Sequence, residues 1–166
     1  YNLTRMNLVM RGIAPSNIVT RNADSLGQDW PMIDEHGNTD PLFVDAVVSN
    51  PPYSANWDNK EAERISDVRF AKYGYAPKSK ADYAFLLHEL YHLRDDGILT
   101  IVLPHGVLFR GGDEGKIRRK LIERNNIETI IGFPPNIFFG TGIATIVMVL
   151  KKKRGNDDTV QFIDAS

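Results

Sequence analysis

The sequence predicts an α/β fold, a sheet covered by helices on both sides. Two observations carry the prediction. Helical and strand-like segments alternate along the chain, and the strand-like segments are apolar on both faces. At 166 residues, 42% hydrophobic and 25% charged, the chain is long enough for one globular domain with a substantial core. It contains no internal repeat and no low-complexity segment.

Each element has its own signal. Asn2 to Gly12 scatters Leu3, Met6, Leu8, Val9 and Met10 at helical spacing and closes at Gly12, with Pro15 beyond. Ile18-Val19-Thr20 reads as a short strand that ends at Asn22-Ala23-Asp24-Ser25-Leu26, and Gly27 to Asp40 as a polar loop. Phe43 to Ser49 is the next strand. Ser54 to Lys80 is a long irregular stretch, more than a compact domain normally gives to a connection. Its Trp57, Tyr73 and Tyr75 either line a substrate entrance or pack the loop.

Ala81 to Arg94 is a strong helix whose Tyr83, Leu86, Leu87, Leu90 and Leu93 form a stripe, ended by Asp95-Asp96-Gly97. Ile98 to Leu103 is a buried strand stopped by Pro104. Gly111-Gly112-Asp113-Glu114 opens a helix capped by Asp113, which runs through Ile117, Leu121 and Ile122 to Asn125. Ile127 to Ile131 and Ile143 to Leu150 are two more strands, joined by Phe133 to Gly142, and Val160 to Ile163 is a last short one.

Composition narrows the function classes. The formal net charge of -1 argues against nucleic-acid binding by charge alone, so any DNA contact must be local or shared with a partner. There are no cysteines, which excludes disulfide scaffolds and thiolate metal sites. No run of 18 apolar residues and no leader pattern is present, and the expected location is the cytoplasm. The chain opens at Tyr1, in what reads as the middle of a helix, and is taken as a piece of a longer protein.

The most informative string is Asn50-Pro51-Pro52-Tyr53 at the end of a strand. An exocyclic amine is a poor nucleophile because its lone pair is delocalised. A carboxamide oxygen and a main-chain carbonyl that both accept from the NH2 group can localise that pair, while an aromatic ring stacks on the base. Proline suits the turn, since its fixed φ and missing N–H leave stiff carbonyls free to point at a ligand. Read without function, the same string is a strand followed by a Pro-rich turn.

A second motif competes. His88-Glu89-Leu90-Tyr91-His92 matches H-E-x-x-H, in which two histidines bind zinc and the Glu is a general base. At about 100° per residue the histidines project away from the apolar stripe, onto the outer face of the helix. No H-x-x-G-x-x-H extension follows, although Glu114 or Glu123 offers a third ligand. We read the histidines as a solvated pair and keep a zinc metalloprotease as an alternative. Arg118-Arg119-Lys120 and Lys151-Lys152-Lys153-Arg154 read as solvated or strand-guarding clusters, with phosphate contact as the functional reading.

The chain resembles the modification (M) subunit of type I restriction-modification systems, the adenine-N6 DNA methyltransferases. The resemblance is carried by Arg5-Met6-Asn7-Leu8, Arg11-Gly12-Ile13, Ala23-Asp24-Ser25-Leu26, Asp45 through Ser54 with Trp57, Ala81-Asp82-Tyr83-Ala84-Phe85, Leu103 through Gly112, Ile117-Arg118 and Phe162 through Ser166. Only Asn50-Pro51-Pro52-Tyr53 is specific for the chemistry.

The resemblance implies a Rossmann-like S-adenosylmethionine-dependent methyltransferase sheet. Asn50 and the Pro51 carbonyl would accept from adenine N6, Pro52 would stiffen the turn, and Tyr53 would stack on a flipped base. Asp24, with Leu26 beside it, would contact the cofactor's adenine, and Asn50 would border the cofactor as well. The partners implied are double-stranded DNA, a specificity subunit and a restriction subunit.

One departure stands out. The family's Gly-rich loop after its first strand, and the acidic residue ending its second, are both missing. Gly140-Thr141-Gly142 lies between late strands and reads as a hairpin turn. Residues 1–166 are therefore expected to be part of a catalytic domain, truncated at its N-terminal strands, weak in cofactor binding and inactive alone. The four turn residues alone also suit cytosine N4 or a protein glutamine amide. An inert structural fragment, able to self-associate through unpaired sheet edges, is the remaining reading.

Overall fold

Val44 to Ser49, rich in β-branched residues, forms the strand that delivers Asn50, and in a computed structural model it lies at the edge of a five-stranded sheet. The structure describes residues 2–27, 41–138, 142–155 and 159–165, so Gly140 and Thr141 and most of the expected loop from Gly27 to Asp40 lie outside the described residues. The chain forms two compact units, Tyr1–Trp30 and Pro31–Ser166.

In the first unit α1 (Asn2–Met10) ends where Gly12 takes φ +86°, a left-handed conformation that glycine adopts without strain. A single 3₁₀ turn, Pro15–Asn17, follows. Ile18-Val19-Thr20 is not a strand, contrary to expectation, and Val19 is 91% exposed. The triplet has strand propensity, but among the described residues no neighbour completes a ladder with it.

The second unit carries β1 (Val44–Ser49), α2 (Asn59–Arg64), α3 (Asp82–His92), β2 (Leu93–Pro104), α4 (Gly112–Glu123), β3 (Ile127–Gly132), β4 (Thr145–Leu150) and β5 (Gln161–Asp164). The sheet order is β1-β2-β4-β3-β5. β1 runs parallel to β2 and β5 parallel to β3, while β4 is antiparallel to both neighbours. Period-two alternation sends Leu99, Ile101 and Leu103 of β2 to one face, opposite Leu150, Met148 and Ile146 of β4, and all six are fully buried. α3 packs against β2 with Tyr83, Leu86, Leu87 and Leu90 inward, which is the stripe read from the sequence. The other face differs from expectation: Val48 is 88% and Ile98 41% exposed, so full cover reaches one face only among the described residues.

Three element boundaries also differ. α3 passes into β2 at His92–Leu93 without a loop. Asp95-Asp96-Gly97, read as a helix stop, lies where Val44 pairs with Leu93 but Ala46 with Ile98, a bulge that absorbs the additional residues of β2. Gly97 is required there, since a Cβ would stand 2.7 Å from the Asp45 carbonyl and 2.8 Å from Leu93 Cδ1. At α4 the cap is Gly111, with Gly112 at φ +62°, and Asp113 instead pairs with Lys116 at 2.8 Å inside the first turn.

The stretch 54–80, expected to be irregular, contains α2, whose N-cap Asp58 accepts from Glu61 N–H, and its ends are tied together. Trp57 N–H donates to Lys78 O at 3.0 Å and Ala81 N–H to Ala55 O at 2.9 Å, in the manner of a compact Ω-like excursion. Its aromatics pack the loop. Trp57 is buried, donates Nε1–H to Pro77 O at 3.1 Å and meets Phe70 edge-on at 5.1 Å. Tyr73 donates to Asn126 Oδ1 at 2.9 Å. Several residues of the basic clusters have partners within the chain, although Arg119, Lys120 and Lys153 are exposed. Arg118 donates to the carbonyls of Val107 and Arg110, Lys151 pairs with Glu128, Lys153 with Asp95, and Arg154 donates to Ile127 O. No helix among the described residues is long and apolar enough to cross a membrane.

Candidate active site

Asn50 follows the C-terminal end of β1, the end of a parallel strand pair at which open α/β sheets bind ligands. Pro51 is buried and anchors the turn, Pro52 is exposed, and Tyr53 is half-buried. The Tyr53 hydroxyl donates to Asn50 Oδ1 at 2.8 Å, so the stacking ring and the amine acceptor predicted from the sequence meet directly. Burial pushes the Tyr53 phenol above its ordinary value, so it is a donor at neutral pH. A carboxamide oxygen has two lone pairs, and the one not used by Tyr53 is available to a substrate N–H.

The turn is held by residues remote in sequence. Ser54 stands at φ +50° and gives its N–H to Asp82 Oδ1 at 2.7 Å. Asp82 is 1% exposed, and its other oxygen, Oδ2, lies 3.1 Å from Arg110 Nη1. Arg110 also reaches Glu114 Oε1 at 3.4 Å. Gly106 lies flat against that guanidinium, where a Cβ would come within 2.6 Å of Nε and Nη2. The 3₁₀ turn His105–Leu108 is pinned in its own right, because the Val107 carbonyl accepts from Tyr83 Oη at 2.8 Å and from Arg118 Nη1 at 2.9 Å. On the other flank Ser49 stands beside the Glu89 carboxyl. Burial pushes the Glu89 carboxyl up to about 7, against the lowering effect of Ser49.

His88 and His92 are not a solvated pair. His92 is 6% exposed, with Nδ1 2.6 Å from Leu42 O, and His88 Nδ1 lies 2.9 Å from Arg69 Nη1. Arg69 is itself buried in an ion pair with Asp67 at 2.7 Å. Burial first, then the neighbouring His92 and Arg69 charges, hold His88 down at about 3, so it is neutral. The outer face of the helix is covered by residues 42 and 69, which periodicity within the helix cannot show. No group of three or more His, Cys, Asp or Glu among the described residues is placed to hold a metal ion.

Asp24 and Leu26 belong to the first unit. Asp24 is exposed and accepts from Leu26 N–H at 3.0 Å through Oδ1, a tight turn that presents the carboxylate, while Leu26 is buried.

The model of the N-6 DNA methylase family matches residues 1–166. The chain belongs to that family. Among curated relatives of this N-6 DNA methylase chain, the type I restriction enzyme MpnII methylase subunit of Mycoplasma pneumoniae is 43% identical, over 100% of this chain and 31% of its own length. The crystal structure of a type I restriction-modification system methyltransferase subunit from Streptococcus thermophilus superposes with a TM-score of 0.89 at 53% identity, over 100% of this chain and 34% of that one. A Listeria monocytogenes protein assigned to the class I S-adenosylmethionine-dependent methyltransferases shares the fold, with a TM-score of 0.53 at 21% identity over 74% of this chain and 37% of that one. The chain thus spans about a third of the length of the type I relatives that it matches.

Asp82, Arg110 and Glu89 were not assigned to the site from sequence. Asp82 and Arg110 sit inside family-like stretches, but a hydrogen bond between residues 28 apart leaves no local pattern.

Proposed function

We propose that this chain carries the amine-holding turn of a DNA methyltransferase that acts on adenine N6, as part of the modification subunit of a type I restriction-modification system. The observation that carries the reading is the Asn50–Tyr53 pair at the carboxyl end of β1. S-adenosylmethionine supplies the methyl group, borne on a sulfonium, when it is bound.

The residues of the chain account for the rest. Asn50 Oδ1 and the Pro51 carbonyl accept the two N–H bonds of the amine, which turns the nitrogen lone pair toward the methyl carbon. With the cofactor bound, the N–C bond would form as the C–S bond broke and its electron pair left with sulfur, so the turn's part is to aim the amine nitrogen. Positive charge that develops on the nitrogen is held by the same two acceptors until a proton is lost to water. Tyr53, oriented by its bond to Asn50, stacks on the flipped base, and much of the rate comes from positioning.

The turn suits cytosine N4 and a glutamine amide equally, and membership of the N-6 DNA methylase family favours adenine. The carboxylate of Asp24, exposed in its turn, fits an acceptor for the cofactor's exocyclic amine, with buried Leu26 fixing the loop. The partners that go with this reading are double-stranded DNA, a specificity subunit and a restriction subunit.

The test is mass-spectrometric detection of N6-methyladenine in DNA exposed to the full-length chain with its specificity partner, comparing wild type with Asn50→Ala. Methylation in the wild type that disappears in the variant supports both reaction and residue. Methylation retained by the variant removes Asn50 from the mechanism, and none in either protein removes the reaction.

A further inference from the structure

We propose that Asp82 and Glu89 are positioning residues that clamp the Asn50–Tyr53 turn from both flanks, an inference that rests on the function proposed above. Both lie on α3, at i and i+7. Two helical turns bring such positions back to within about 20° of each other, so the two carboxyl groups face the same side. Each stands at a serine that borders the turn: Asp82 accepts from the N–H of Ser54, directly after Tyr53, and Glu89 stands beside Ser49, directly before Asn50.

A helix-capping role does not account for Asp82. It occupies the first turn of α3, where a carboxylate is favourable to the helix dipole. Yet Oδ1 is used on Ser54 and Oδ2 on Arg110, both outside the helix. A buried carboxylate without those partners would be costly, so the geometry commits Asp82 to the turn. Ser54 at φ +50° is a conformation that a non-glycine residue leaves readily, and the 2.7 Å bond to Asp82 holds it.

The same pairing gives the H-E-x-x-H string a role that needs no metal. Its Glu89 has Oε2 buried with no hydrogen-bond partner among the described residues, while the carboxyl stands beside Ser49. The motif stretch Leu103 to Gly112 acquires a purpose as well. It brings Arg110 to Asp82, across a Gly106 that has no side chain to obstruct it. Asn50, Asp82 and Arg110 form one connected unit through Ser54.

The experiment uses the full-length chain with its specificity partner and compares Asp82→Ala with Asp82→Asn, and Glu89→Ala with Glu89→Gln. The Asn and Gln variants keep an oxygen acceptor and lose the charge. Single-turnover methyl transfer should fall by about 10- to 100-fold in each Ala variant and stay within about threefold of wild type in Asn and Gln, with cofactor affinity unchanged. Amide hydrogen exchange at Ser54 should accelerate in Asp82→Ala and not in Asp82→Asn. Wild-type rates and protection in the Ala variants, or Asn and Gln variants as impaired as Ala, would overturn the clamp.

Exchange is read without any reaction. Faster exchange in Asp82→Ala alongside a wild type that does not methylate adenine upholds the clamp and rejects the function. If Asp82→Ala does not fold, the Glu89 pair decides the matter by the same rates and by exchange across Ser49 and Asn50.

Discussion

The hydroxyl of Tyr53 donates to Asn50 Oδ1 at 2.8 Å, which ties the ring proposed to stack on the base to the proposed amine acceptor. Tyr53→Phe keeps the ring and frees the acceptor. It should slow methyl transfer by about tenfold or less, in proportion to a single hydrogen bond of about 1 kcal/mol. Tyr53→Ala also removes stacking, which is worth about 1–3 kcal/mol per base, and should cost about 10- to 100-fold. Rates of N6-methyladenine formation on one DNA duplex rank the three proteins, and an Ala variant as fast as Phe would remove stacking from the account.

Glu89 and His88 oppose one another in pH dependence. Folded Glu89 keeps its proton up to about 7, whereas the unfolded group releases it near 4.5. Its contribution is full below pH 4.5 and is lost as pH rises through about 7. Folded His88 stays neutral down to about 3, whereas the unfolded group takes a proton near 6.5. Its contribution is full above pH 6.5 and is lost as pH falls, and His92, also lowered by burial, acts in the same sense. Glu89→Gln removes only the first effect. Between the two ordinary values its unfolding free energy should fall more steeply with acid than that of wild type, by up to about 1.4 kcal/mol per pH unit. Urea titrations at several pH values measure the two slopes, and parallel slopes would contradict the assignment.

Arg69 and Asp67 form an ion pair in which the side chains are 0% and 3% exposed. Arg69→Met leaves the carboxylate buried and unpaired and should destabilise the fold by about 3–5 kcal/mol. It also removes one of the charges that hold His88 neutral, so the imidazole should titrate somewhat higher while burial keeps it below its ordinary range. Chemical denaturation and NMR titration of the imidazole test the two halves separately.

Two glycines test different contacts. Gly97→Ala drives a Cβ to 2.7 Å from a backbone carbonyl and should cost roughly 1–3 kcal/mol. Gly106→Ala meets only the end of the Arg110 side chain, which can swing away at the expense of its bond to Asp82. Stability should fall there too, because Asp82 is left buried with one partner fewer, and methyl transfer should fall about tenfold. Thermal unfolding and single-turnover rates on both variants would show methyl transfer impaired in Gly106→Ala beyond any loss of folded protein, and equal activity loss in the two would contradict it.

Periodicity and turn chemistry made most elements legible. The stripe from Tyr83 to Leu90, the apolar runs of β3 and β4, and the strand before Asn50 all formed where expected. Failures arose where partners, not propensity, decide. Ile18-Val19-Thr20 has the residues of a strand without a neighbouring one. Asp95-Asp96-Gly97 looked like a stop because a bulge in a strand uses the same residues as a turn. His88 and His92 looked solvated because their cover comes from residues 69 and 42. At the site, the local string Asn50-Pro51-Pro52-Tyr53 was readable, and Asp82, which holds it, was not, because that contact exists only after the chain has folded back on itself.

The passage of α3 into β2 without a loop sets a length rule. A residue inserted at the His92–Leu93 junction would turn the helix about 100° against the sheet and carry both carboxyl groups away from their serines at once. Family members that differ in length here should place the difference in the bulge or in the loop that follows Ser54, where backbone can be added without rotating anything. The count of residues from Asp82 to Leu93 acts as a gauge, and it constrains this region independently of which side chains fill it.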